Sequence, residues 1–202
     1  DARGAERLYA PVHDLLVGAG KVVARHSVHR GAAGLRFAPV ADSADGFGEA
    51  LPPAKPAWPA FGHAGLSPAP VGFAIASSLL RLQEGERRVT LSIDLSFLVA
   101  SELSANDIAA SLQAYVSGEK GWLGPYPLSG SAQGERLRLA IAIPAVEPAV
   151  VDCSMAVHGH AFATDLPVLQ LLLRPEAAAR YRALAGLRPE RLQLEVSVDG
   201  AR

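Results

Sequence analysis

The sequence predicts a soluble, mainly β fold, with antiparallel sheets packed in a β-sandwich-like arrangement and a few short peripheral α-helices. Three runs carry that expectation. Val89, Leu91, Ile93, Leu95 and Phe97 alternate with Thr90, Ser92, Asp94 and Ser96. Leu137, Leu139, Ile141 and Ile143 alternate with Arg138, Ala140 and Ala142, and Leu192, Leu194, Val196 and Val198 with Gln193, Glu195 and Ser197. A period of two sends successive side chains to opposite faces, so each run predicts a strand with one buried and one solvated face. Solvated outer faces favour antiparallel sheets over a parallel core buried under helices. One-faced sheets must cover each other, which gives the sandwich.

Residues 1–40 read as an N-terminal helical or irregular segment, and residues 41–202 as the sandwich domain, opened by a long strap. Between Ala5 and Val23, Leu8, Val12, Leu15 and Leu16 share one helical face, with Pro11 at the helix start. From Gly31 to Pro70 the composition shifts to Gly, Pro, Ala and Asp without a sustained period. Phe47, Trp58 and Phe61 supply apolar anchors there, as an ordered strap needs; a purely polar linker is the alternative. Val71, Phe73 and Ile75 alternate as a strand, and EGERR is a turn before the Val89 run. Ser104 is the expected N-cap of a helix, with Asp107 three residues on and Ile108, Leu112 and Tyr115 on one face. GEKGWLGPYP reads as a Gly/Pro-rich loop and Pro167–Leu173 as a buried strand. A second helix starts with Pro175 in its first position and stops at Gly186, burying Tyr181 and Leu184.

The 202 residues are 50% hydrophobic and 19% charged, with a formal net charge of -1, as in an ordinary globular chain. Without a basic run, a nucleic-acid surface is not expected. No apolar run approaches the ~20 residues of a membrane span. Met155 is the only methionine, so Asp1 is not read as a translational start, and a fragment of a larger protein is expected.

Four groups of residues invite a chemical reading. His158 and His160 would share a face if HGH were a strand, and with Asp152, Cys153 and Asp165 nearby they suggest a metal site. No second cluster supplies the remaining ligands, so an ordinary polar turn is the preferred reading. Cys153 sits in an apolar run and reads as a small core residue; no GxSxG elbow is present, and GAGKVV at Gly18–Val23 lacks the spacing of a phosphate-binding loop. Asp42, Asp45 and Glu49 do not keep the alternation of a calcium loop and read as a turn. Trp58, Trp122 and Tyr126 are the candidate binding-surface aromatics, the basis of a carbohydrate- or ligand-binding alternative; packing as loop anchors is the competing reading. No catalytic residue, metal or cofactor is assigned, and no enzymatic activity is expected.

WPAFG at Trp58–Gly62, VGFAIASSLLRLQEGERRVTLSIDLSF at Val71–Phe97, SGEKGWL at Ser117–Leu123 and the closing LQLEVSVDG resemble the baseplate J-like wedge proteins of phage tail-like contractile injection systems. The resemblance spans roughly Ala41 to Arg202. It implies a non-enzymatic structural or assembly domain that contacts other subunits of a larger assembly. It also implies a cytoplasmic assembly, or a place in a released tail-like particle.

Overall fold

The computed structural model describes residues 16–18, 21–28, 35–37, 72–159 and 164–200. These residues form two antiparallel sheets. Sheet one contains β1 (Leu16–Gly18), β2 (Lys21–Val28), β5 (Glu86–Ser96), β8 (Ser129–Gln133), β9 (Arg136–Ile143) and β11 (Arg188–Asp199), in the order β1-β2-β11-β5-β9-β8. Sheet two contains β3 (Leu35–Phe37), β4 (Gly72–Ala76), β6 (Leu112–Gly118), β7 (Gly121–Pro127) and β10 (Val168–Leu173), in the order β3-β4-β10-β6-β7. Helices α1 (Ala105–Ser111), α2 (Met155–His158) and α3 (Tyr181–Gly186) are short. The mainly β class read from the alternation is what the structure contains.

The three alternating runs are β5, β9 and β11. They pair in one register, with Leu194 opposite Leu91 and Leu91 opposite Leu139. Their inward side chains meet Phe73, Ile75, Leu112, Val116, Leu169 and Leu171 of sheet two in one core. Fully burying such a side chain contributes ~1.5–3 kcal/mol. Sheet two is buried on its other face as well. Ala74, Ala76 and Val168 lie there beneath Cys153, with Trp122, Leu166 and Leu172 packed around them. Burial on both faces explains why VLQLLL lacks a polar alternation; its one polar residue, Gln170, is itself buried.

Several expectations are corrected. The described part of the helical stretch expected over Ala5–Val23 is strand, β1 and the start of β2; Leu8, Val12 and Leu15 lie outside the described residues. Described residues before 41 therefore join both sheets as strands, since β2 pairs with β11 and β3 with β4. Most of the Gly31–Pro70 strap, with Trp58, lies outside the described residues. Phe97 does not continue the inward row: its φ of 69° ends β5 and leaves it 63% exposed. The helix capped by Ser104 has the expected capping box with Asp107 but stops at Ser111. Leu112, Ala114 and Val116, all fully buried, continue as strand β6. Pairing with β10 overrides the helical spacing, and Arg174 holds the junction: its backbone N–H donates to the Ser111 carbonyl and its Nε to that of Leu112. GEKGWLGPYP is not a loop but a hairpin, the end of β6 and all of β7. Pro175 opens a 3-10 turn, Pro175–Arg180, and α3 follows it.

Arg87 stands in the inward row of β5, two residues before Val89, and is 1% exposed. Burying an unpaired cation is prohibitive unless its donors are satisfied. Here five donor–acceptor contacts to backbone carbonyls satisfy it. Nε donates to Gly85 (3.1 Å), Nη1 to Leu82 (3.2 Å) and Pro148 (2.8 Å), and Nη2 to Pro144 (2.9 Å) and Glu147 (2.7 Å). Burial pulls the guanidinium below its usual pKa, with Glu147 and Glu86 among the groups opposing that shift. The planar fork closes the end of the sandwich and anchors the 144–150 segment, which leaves sheet one after β9. That segment continues to sheet two: Val150 N–H donates to the Leu82 carbonyl (2.8 Å) and Val151 N–H to Ser117 (2.9 Å). The buried Ser117 hydroxyl donates to the Val151 carbonyl (2.6 Å) and accepts from Val168 N–H (3.0 Å).

Replacing Arg87 by Met is expected to leave the Gly85, Glu147 and Pro148 carbonyls without this donor and to lower unfolding stability by ~3 kcal/mol or more. Arg87→Lys is expected to recover only part of that, since an ammonium has three donors and no fork. Urea unfolding followed by fluorescence measures both; a Met variant as stable as the parent would refute the clamp.

Candidate functional site

The sequence-selected residues converge most closely at the β6–β7 turn and the face beneath it. The chain turns at Gly118–Gly121, and Trp122 follows at the start of β7. A cleft of about 270 Å³ lies between this turn and Pro148, with Glu119, Lys120 and Leu123 on its walls. Trp122 borders the cleft and is itself partly buried against His158, ring centroids 5.0 Å apart at 69°.

His158 is on the short helix α2 rather than a strand, and it is buried. Its Nδ1 accepts from Ser154 N–H at 3.0 Å, and its Nε2 lies 2.9 Å from the Gly118 carbonyl. With Nδ1 accepting from Ser154, Nε2 is the nitrogen placed to donate to Gly118. Nδ1 thus serves the N-terminus of α2 itself and Nε2 ties the helix to the hairpin, so the arrangement leaves neither to a metal. Asp152 takes a two-pronged contact from Arg81, Nε to Oδ1 at 2.7 Å and Nη2 to Oδ2 at 3.0 Å, on the surface. Cys153 is buried under sheet two, and burial pushes its thiol above the ordinary value. Asp165 is exposed, while His160, Asp42, Asp45 and Glu49 lie outside the described residues. Among the described residues no group of three or more His, Cys, Asp or Glu is placed to hold a metal ion.

The aromatic candidates do not form a platform. Tyr126 is buried in the core at 6% exposure, facing away from the solvent that a sugar would occupy. Its hydroxyl makes no hydrogen bond of ordinary geometry. Burial, helped by the Glu147 carboxylate and opposed by Arg87, pushes the phenol up to about 12. Trp58 lies outside the described residues.

Two features escaped the sequence reading. Arg87 belongs to β5 and not to the expected EGERR turn, and its spacing from Val89, Leu91 and Ile93 puts it in the inward row. The other is a polar depression of about 380 Å³ on the outer face of sheet one. Small side chains, Thr90, Ala140 and Ser129, lie among the long ones of Arg88, Arg138 and Glu195. Compared with known proteins, the chain matches no family model and no curated sequence. No described helix is long and apolar enough to cross a membrane.

Tyr126→Phe is expected to leave stability unchanged or raise it by up to ~1 kcal/mol, because the hydroxyl removed is buried and unbonded. With a folded pKa above the ~10 of a free phenol, the parent should lose stability as pH rises from ~10 toward about 12, and the Phe variant should lose less. Unfolding curves across that range check the sign. Cys153 should react with a thiol reagent far more slowly in the folded chain than in urea, at a rate set by opening; equal rates would place the thiol outside the core.

Proposed function

We propose that this chain is a structural and assembly domain of a large baseplate-like component in a contractile, phage tail-like injection system. In that role it acts through contacts with other subunits and catalyses no reaction. The observation that supports this reading best is what its polar interior does. Arg87, Ser117 and His158 each join segments that are remote in sequence, and each directs its donors or acceptors to backbone. Polar groups so placed make a stiff body from two sheets and the segment between them, which suits a part that transmits load. The residue runs resembling wedge proteins give that stiffness a setting: a cytoplasmic assembly, or a tail-like particle after release.

The test is co-production with the sheath, tube and spike proteins that this reading places beside it in the genome. The tagged chain is expected to co-purify with them in fixed proportion and to appear in the particle by electron microscopy. A chain that stays alone under those conditions, while its tryptophan fluorescence responds to glycans, would overturn the reading in favour of a carbohydrate-binding module.

A further inference from the structure

The edges of the two sheets are not alike. β1 and β3 are three residues long, and β7 carries Pro125 and Pro127 and faces a register irregularity between Ala114 and Val116. Short length, proline and bulges are the ordinary protections of an edge against further pairing. β8 has none of them. It runs in unbroken register against Arg136–Ala140, and SGSAQ contains neither proline nor charge. Helix α1 packs on its inner face at Gly130, where a Cβ would stand 2.3 Å from the Ala105 carbonyl oxygen. Ser129, Ser131, Ala132 and Gln133 remain exposed. Among the described residues, no backbone bond beyond the β9 ladder engages β8.

We infer that the free edge of β8 takes up an extended, acidic strand from a neighbouring subunit. The inference rests on the reading of this chain as an assembly domain and names the chemistry of its partner. Charge selects the occupant. β8 and β9 together carry Arg136 and Arg138 on the outer face and no carboxylate. The opposing acids stand further in: Asp94 on β5, shared by Arg136 and Arg191, and Glu195 on β11. Arg138 already meets Glu195 at 3.7 Å across the width of β5. Two strand spacings are about 9.6 Å. A strand added outside β8 would stand the same two spacings from Arg138 on the opposite side, with only the small Ser131 between. Acidic side chains at alternate positions of that strand would enter the depression beside Ser129 and Ser131. A second copy of β8 offers only serine and glutamine there, so it lacks the complementary charge.

Amide exchange followed by NMR tests this on the 202-residue chain. The probes are a short peptide alternating glutamate and threonine, and its counterpart with lysine for glutamate. The glutamate peptide is expected to protect amides within Ser129–Gln133 and leave those of β7 unchanged. Arg138→Gln, which alters only an exposed ion pair, should weaken that protection by roughly threefold. Absent protection, equal protection by the lysine peptide, or protection that grows with protein concentration alone would overturn the inference, the last by making a second copy the occupant. Co-purification with sheath, tube and spike by a chain whose β8 amides stay unprotected, in the particle and with either peptide, would remove the docking edge and leave the assembly reading standing. Failure to co-purify, with β8 protected by the glutamate peptide, would do the reverse.

Discussion

A single buried arginine sets the geometry at one end of this fold. Arg87 occupies a position that the alternation of β5 reserves for an apolar side chain, and its fork reaches five carbonyls from Leu82 to Pro148. A hydrophobic residue there would fill the space but take the guanidinium donors from the Gly85, Glu147 and Pro148 carbonyls. The desolvation cost of the cation and the pairing needs of an irregular backbone offset each other. Because the 144–150 segment is fixed by this clamp, Val150 and Val151 are delivered to Leu82 and Ser117, and the path from sheet one to sheet two is defined.

The consequence for sheet two is a covering over its outer face. Cys153 and Leu166 come from the stretch that follows the clamped segment and pack on Ala74, Ala76 and Val168, while His158 ties that stretch to Gly118 and Trp122. Small residues on β4 allow this layer to lie close. Of the residues that draw a chemist's eye within seven positions, the cysteine and the histidine owe their placement to this covering stretch, and the aspartate pairs with Arg81 at the surface.

Much of the fold was legible because β5, β9 and β11 each have one wet face, and a wet face writes itself as alternation. The strands that were misread have different environments. Leu112 to Val116 satisfies both a helical and a strand spacing, and the choice is made by β10, which is remote in sequence. β7 contains glycine and two prolines at a sheet edge, where proline is tolerated, so its composition imitates a loop. The candidate site was less legible. Exposure cannot be read from residue type, and Tyr126 and Trp122, four positions apart on one strand, differ in burial because a bend in the ladder lies between their partners.

β11 lies between β2 and β5, pairing Leu192 with both Val28 and Ile93. The centre of sheet one is therefore supplied by the last strand in chain order among those described. As the polypeptide emerges during synthesis, β2 has no partner on that side and β5 has only β9 until Asp199 is available. Pairings of such long sequence separation are slow, of order milliseconds to seconds in proteins dominated by them. Until then the edges of β2 and β5 that β11 pairs stay open, so the nascent chain is most prone to mispairing in the interval before β11 arrives.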